Sequence, residues 1–257
     1  MHLRAFVGLG VNKHPFCLMS SAFTGGLKVW EEVNADLPTA QIELPTSPST
    51  PATAPTSKSK AKKGPQFGRM RVTDGMTIRP SELSLDDRVS RALSIAEECI
   101  KPEELRALFE KKPHPVCYDG FEPSGRMHIA QGILKALNVN KLTSCGCVFV
   151  FWVADWFGML NNKMGGDLEK IRKVGQYFVE VWKACGMDMT NVKFYWASDA
   201  INEDPNGYWL RVLDVARKSS VSRMKRCCQI MGRADGDDQP SAHILYPCMQ
   251  CSDIFYI

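Results

Sequence analysis

The sequence has no apolar run near the ~18 residues that a membrane-crossing helix needs, so none of its 257 residues reads as a bilayer span. Its first 30 residues contain no acid. That trait is weakly transit-peptide-like, and a short extension or a misassigned start accounts for it equally. No strong charge of one sign is present either. The net charge of +4 permits a nucleic-acid partner without demanding one. The glycine-bounded turn GFEPSG at 120–125 matches neither the dinucleotide fingerprint nor the lysine-containing phosphate loop. The single CxxC pair, Cys248 and Cys251, has no second ligand pair at suitable spacing, which argues against a structural zinc. Cysteine itself is plentiful. Ten are scattered along the chain, some inside apolar runs (Cys145, Cys147) and two adjacent (Cys227, Cys228), as expected of buried free thiols in a reducing compartment.

Composition divides the chain into three parts. Residues 1–39 form an N-terminal extension. Residues 40–80 read as a linker; their first part, 40–66, is rich in Pro, Ser, Thr and Ala and ends in a lysine cluster. So little apolar surface cannot offset the entropy of ordering, which predicts disorder. The cluster SKSKAKK is either a solvated tail or an RNA contact. A folded domain occupies 81–257. Order is expected from about Ser84, where SLDDRVSRALSIAEECI carries a Ser cap, early acids and helical spacing. KPEELRALFEKK then places Pro102 at a first helical position. Strands are predicted over 114–120, 147–156 and 191–198, the second apolar enough to be covered on both faces. Helices are predicted over 126–142, 166–185 with Gly186 past its end, 207–233 with a break at Ser219–Ser220, and 241–253. In the third of these, Leu210, Leu213, Val221, Met224, Cys228 and Met231 mark an expected buried stripe, and Arg211, Lys218 and Lys225 a basic one. The alternation predicts an α/β fold with a doubly wound parallel sheet.

Ligands of such sheets sit at the carboxyl ends of the strands. Tyr118 ends the first strand, and GFEPSG follows it. A helix begins behind that loop and points unpaired N–H groups at the same place, which suits phosphate. His128 and Gln131 are spaced to share a face of its first turns. A second constellation lies in LYPCMQCSD. Tyr246, Gln250 and Asp253 fall within roughly 60° of one helix face. A phenol, an amide and a carboxylate together suit a small zwitterion with a hydroxyl, or a polar cluster satisfied within the core.

CYDGFEPSGRMHIAQG and ILYPCMQCSDI together resemble the tyrosyl-tRNA synthetases of the archaeal and eukaryotic type, closest to the plant-like cytosolic form. WVADWFGMLNNK (152–163) and GGDLEKIR (165–172) extend the likeness, which runs from about Ser84 to Ile257. The resemblance implies a class I catalytic domain that joins L-tyrosine to ATP, with Mg2+ on the pyrophosphate, and passes the tyrosyl group to tRNA(Tyr). It implies catalytic roles for His128 and Gln131, which stand where the family carries the two histidines of its His-Ile-Gly-His signature. Gly120, Ser124, Gly125, His128 and Gln131 would bind ATP. Tyr118 and Asp253 would hold the tyrosine hydroxyl, Tyr246 and Gln250 its ammonium end, with Glu122 beside it. Arg226 would meet the tRNA acceptor end. A homodimer and a cytoplasmic location are implied, with organellar import left open by the N-terminal segment. The family continues beyond the last residue here into a further strand, a Lys-Met-Ser-Lys-Ser-type loop and an anticodon domain. A chain ending at Ile257 would then leave a sheet edge open and make adenylate poorly. Two other readings stand beside this one: a non-catalytic tyrosine- or RNA-binding module derived from the synthetase, and a tryptophan–tRNA ligase relative.

Overall fold

The computed structural model describes residues 4–9, 15–20, 67–95, 99, 101–230 and 240–257, the first two segments by their backbone alone. Most of the extension and linker, including the lysine cluster, and Met231 lie outside the described residues.

Two strands, β1 (Arg4–Leu9) and β2 (Pro15–Ser20), pair antiparallel. Helix α1 (Leu85–Leu93) starts at Ser84, whose hydroxyl accepts the Asp87 N–H at 3.2 Å, with Asp86 and Asp87 in its first turn. It ends earlier than its pattern predicts, at a cap on Ser94. Helix α2 (Pro102–Lys111) has Pro102 at its start, where a missing N–H costs nothing. Strand β3 (Val116–Phe121) does not end at Tyr118, as the sequence suggested, but takes in Gly120 and Phe121; the rest of GFEPSG leads into a π-helical turn (Ala130–Leu134) continuous with α3 (Lys135–Ser144). Strand β4 (Val148–Val153) is buried at every position. It is followed by α4 (Asp155–Leu160), a short turn at Lys163–Gly166, and α5 (Leu168–Ala184), which is capped by Asp167 accepting from the Lys170 N–H. Strand β5 (Val192–Trp196) runs directly into α6 (Ala197–Glu203), a helix absent from the sequence reading. The long helical segment breaks as predicted, into α7 (Pro205–Lys218) and α8 (Val221–Ile230), with Ser219 extended between them. Helix α9 (Ser241–Tyr256) completes the set.

The sheet order is β1-β2-β3-β4-β5, with β2 to β5 parallel. The edge of β3 away from β4 is occupied by β2. Cys17 lies opposite Cys117 and Leu18 opposite Tyr118, so β2 meets backbone groups that would otherwise invite another chain. Alternation along the strands sorts two cores. Cys117, Phe149 and Phe151 point to the face covered by α1, α2, α3 and α5. Tyr118, Val148, Val150 and Trp152 point to the face covered by α6, α7, α8 and α9. Helices on both faces of a mainly parallel sheet make this the expected doubly wound α/β fold.

Two expectations change. The face of α7 turned inward carries Tyr208 and Val212, while Leu210 and Leu213 are 41% and 61% exposed and Val221 is 61% exposed; among the described residues of the expected stripe, only Met224 and Cys228 are buried. Arg211 is not part of a solvated basic stripe. It donates to the Gly68 carbonyl at 2.8 Å and lies over the Phe67 ring. That contact explains the second change: residues 67–80, which composition placed in the linker, pack on the domain. Val72 is buried in the core beneath α7 and α9, Met70, Met76 and Ile78 pack against it, and the Met70 N–H donates to the Tyr256 carbonyl at 2.7 Å. Three or four apolar side chains in a short polar stretch give no periodic signal but still bury area. Val72→Ala should therefore lower the unfolding free energy by about 2 kcal/mol in urea titrations. Limited proteolysis should leave 67–80 on the resistant product; a product starting at Ser84 would contradict this packing.

Candidate active site

The carboxyl ends of β3 and β4, the loop after β3 and the inner face of α9 converge on one place. Tyr118 projects from β3 toward α9 and is buried. Asp253, two turns beyond Tyr246 on α9, is buried as well, and its Oδ1 accepts the Tyr208 hydroxyl from α7 at 2.8 Å. Tyr246 donates a short hydrogen bond to Glu122 of the GFEPSG loop, and Asn161, just after α4, donates to the same Glu122 oxygen at 2.6 Å. Phe157 stands edge-on against the Tyr246 ring at 5.0 Å. The sequence-selected residues Tyr118, Glu122, Tyr246 and Asp253 are thus brought into one cluster. Gln250 is half-buried on the same helix between the last two.

Gly120 is needed here for space. A Cβ at that position would stand 2.8 Å from the Tyr118 Oη. Gly125 turns the loop at φ 89°, a conformation that favours glycine. Ser124, Gly125 and His128 are exposed around the rim of the loop. His128 does not lie in the first helical turn, as the sequence suggested, but just ahead of it. Its backbone N–H approaches the Gln131 Oε1 at 3.4 Å, the reach-back half of a capping box. Gln131 sits in the wide π-helical turn, and its carbonyl accepts the Trp182 indole N–H at 2.8 Å. A helix side chain from α5 thus pins the turn that follows the GFEPSG loop. Such widened turns recur at functional sites. Arg226 is exposed on α8, with no hydrogen bond or ion pair to the cluster.

Several residues of this arrangement escaped the sequence reading. Asp119 and Lys135 form a buried ion pair behind the loop, joining β3 to the start of α3. Asp155 is buried at the end of β4, accepting from the Ser198 N–H at 3.0 Å, the Ser198 hydroxyl at 2.5 Å and Arg172 at 3.0 Å, while Arg172 also pairs with Asp199 and lies over Trp196. This network clamps β4, α5 and α6 together at the ligand-facing end of the sheet. Tyr208 and Trp152 lie on the inner faces of their elements, where a polar tip on a large ring gives no periodic signal.

Burial sets the electrostatics. It pushes the Asp253 carboxyl well above the usual carboxylate range, opposed by the Tyr208 hydroxyl and the Trp152 indole. Burial, then the Asp253 and Asp119 charges, push the Tyr118 phenol up; burial, then Glu122, push Tyr246 up. The cluster therefore holds neutral phenols around carboxyl groups, a set that both donates and accepts hydrogen bonds. Among the described residues, no three His, Cys, Asp or Glu side chains come together as metal ligands, and no helix is long and apolar enough to cross a membrane.

A family model of class I tRNA synthetases (W and Y) matches residues 110–257. The chain belongs to this synthetase family. It is 58% identical over 173 residues to a cytoplasmic tyrosine–tRNA ligase of Arabidopsis thaliana, covering 67% of this chain and 45% of that protein. A second cytoplasmic tyrosine–tRNA ligase of the same plant is 60% identical over 164 residues, covering 64% and 22%. The synthetase chain thus spans less than half the length of these curated relatives. The structure of Leishmania major tyrosyl-tRNA synthetase in complex with tyrosinol superposes with a TM-score of 0.65 at 57% identity, covering 68% of this chain and 30% of that one.

The raised Asp253 value gives a stability prediction with a definite sign. A carboxyl whose folded value is raised contributes most below its unfolded value, and that contribution fades as pH rises through the folded value. The groups facing it are Tyr118, Trp152, Tyr208 and Tyr246, none of them cationic. Asp253→Asn should raise the thermal midpoint at neutral pH by a few degrees, about 1 kcal/mol. The gain should shrink as pH is lowered toward 4. A variant less stable than the parent across this whole range would contradict it.

Proposed function

We propose that this domain activates L-tyrosine with ATP to tyrosyl-adenylate and pyrophosphate, and passes the tyrosyl group to tRNA(Tyr). The observation that carries the reading is the buried Asp253 carboxyl facing Tyr118 at the ligand-binding end of the sheet. Apolar packing alone gives no reason to seal a carboxyl there at a cost in desolvation. A substrate phenol supplies one, because its hydroxyl donates to a carboxylate and accepts from a phenol. The names of the two plant relatives described above, both tyrosine–tRNA ligases, support the same substrate. An indole ligand offers no hydroxyl for this pair, which counts against the tryptophan branch.

In this reading Tyr118 and Asp253 hold the phenol, and Tyr246 and Gln250 meet the ammonium group. Glu122, tied to Tyr246 and Asn161, fixes the orientation of Tyr246. The substrate carboxylate then faces the GFEPSG loop and attacks the α-phosphorus of ATP, expelling pyrophosphate. No protein nucleophile is required; positioning and charge stabilisation do the work. His128 at the loop rim donates to phosphoryl oxygens, Gln131 adds an uncharged donor, and Gly120, Ser124 and Gly125 let the phosphates approach the backbone. Magnesium would arrive on the phosphates of ATP and neutralise the pyrophosphate. No residue of this chain is assigned to hold it. In this reading Arg226, exposed on α8, meets the acceptor end of tRNA. The exposed Leu210, Leu213 and Val221 support a homodimer, and the names of the plant relatives support a cytoplasmic location.

Isothermal calorimetry should show L-tyrosine binding more tightly than L-phenylalanine, and equal affinities would sink the assignment. Asp253→Ala should cost about 1–3 kcal/mol of tyrosine affinity, through a buried hydroxyl left without its partner. His128→Ala should leave the tyrosine constant unchanged and weaken ATP binding about tenfold; a loss on the tyrosine side would move His128 out of the phosphate subsite.

A further inference from the structure

Trp152 occupies the last part of β4, directly opposite Gly120 in the β3–β4 ladder. Residues 118 and 120 of β3 share a face, so Tyr118, Gly120 and Trp152 point toward α9 together. The space left by the missing side chain at Gly120 is bordered by two polar tips. A Cβ there would stand 2.8 Å from the Tyr118 Oη and 3.9 Å from the Trp152 Cδ1, the ring atom bonded to the indole nitrogen. Trp152 is 1% exposed, and its Nε1–H has no hydrogen-bond partner. The indole edge faces Asp253 and helps to hold its charge without closing a hydrogen bond to it. Buried polar groups are almost always paired, and an orphaned donor asks for an acceptor. An indole N–H cannot turn to suit another neighbour, because it only donates.

We infer that Trp152 is a third hydroxyl-reading group of the amino-acid pocket, its indole N–H donating to the phenol oxygen of L-tyrosine beside Tyr118 and Asp253. The inference rests on the tyrosine reading above and adds a specificity residue to it. A phenol oxygen offers one hydrogen and two lone pairs. Asp253 already accepts from Tyr208 on Oδ1, and its other oxygen accepts a hydrogen bond from the substrate hydroxyl. One lone pair accepts from the Tyr118 hydroxyl, which has no hydrogen-bond partner among the described residues, and the second accepts from Trp152. Tyrosine thereby satisfies three groups at once, whereas phenylalanine leaves the Tyr118 hydroxyl, the Trp152 indole N–H and the second Asp253 oxygen without a partner.

The test combines calorimetry with 15N spectroscopy of the indole N–H groups in this chain, the Trp152 resonance being assigned sequentially in the parent protein. Saturating L-tyrosine should move that resonance downfield, and L-phenylalanine should not. Trp152→Phe, which keeps a ring and removes the donor, should lose about tenfold in L-tyrosine affinity. Its L-phenylalanine affinity should change less than twofold. A Trp152 resonance that stays in place with tyrosine bound overturns the inference whether or not the variant folds. So does a variant that loses both amino acids equally. A parent chain without preference for tyrosine overturns the amino-acid reading and this inference with it, whereas a preference that survives intact in Trp152→Phe overturns this inference alone.

Discussion

A carboxyl group sealed between a sheet and a helix is the constraint on which this domain depends. Asp253 lies inside the second core, surrounded by Tyr118, Trp152, Tyr208 and Tyr246. Each neighbour comes from a different turn or element: β3, β4, α7 and α9. Burying a carboxyl is costly unless hydrogen bonds meet it, so the positions of α7 and α9 on the sheet are tied to the Tyr208–Asp253 hydrogen bond. The aromatic rings supply apolar area for packing and polar tips for the site, so one set of side chains stabilises the core and shapes the pocket. Tyr208 and Tyr256 pack edge-on at 5.2 Å beneath the same helix, and the segment 67–80 closes the outside of that layer.

The opposite face of the sheet fixes the GFEPSG loop. Trp182 stacks on Phe151 at 4.6 Å and reaches the Gln131 carbonyl, and the Asp119–Lys135 pair ties the strand before the loop to the helix after it. The loop carrying Gly120, Glu122 and Gly125 is therefore held at both ends by buried polar contacts, while its rim, with Ser124 and His128, stays open to solvent. Rigid supports under an exposed rim fit a site in which catalysis rests on positioning.

The fold was legible where periodicity is strong. Val148–Val153 reads as a doubly covered strand because every residue is apolar, and Ser84, Pro102 and Asp167 mark helix starts by their chemistry. Legibility failed where contacts between distant segments decide. The inward face of α7 is set by Tyr208 and Val212 because Tyr208 must reach Asp253, and no rule of spacing prefers it to the face of Leu210 and Leu213. Segment 67–80 reads as linker because its few apolar residues follow no period. The site showed the same division. Tyr246 and Asp253 announce themselves as polar residues on one face of an apolar helix, whereas Trp152 and Tyr208 are disguised as ordinary core aromatics. Asp155 gave no signal of its own, since its partners Arg172 and Ser198 lie 17 and 43 residues away.

The central claim is that Asp253 is a buried carboxyl kept ready for a phenol. Its side-chain 13C resonance, followed against pH in the free chain and with L-tyrosine bound, tests this most directly. The account predicts titration well above the ordinary carboxylate range in the free chain, and a downward displacement when tyrosine binds, because a donated phenol hydrogen bond favours the charged form. Titration at the ordinary carboxylate value in both states would contradict it.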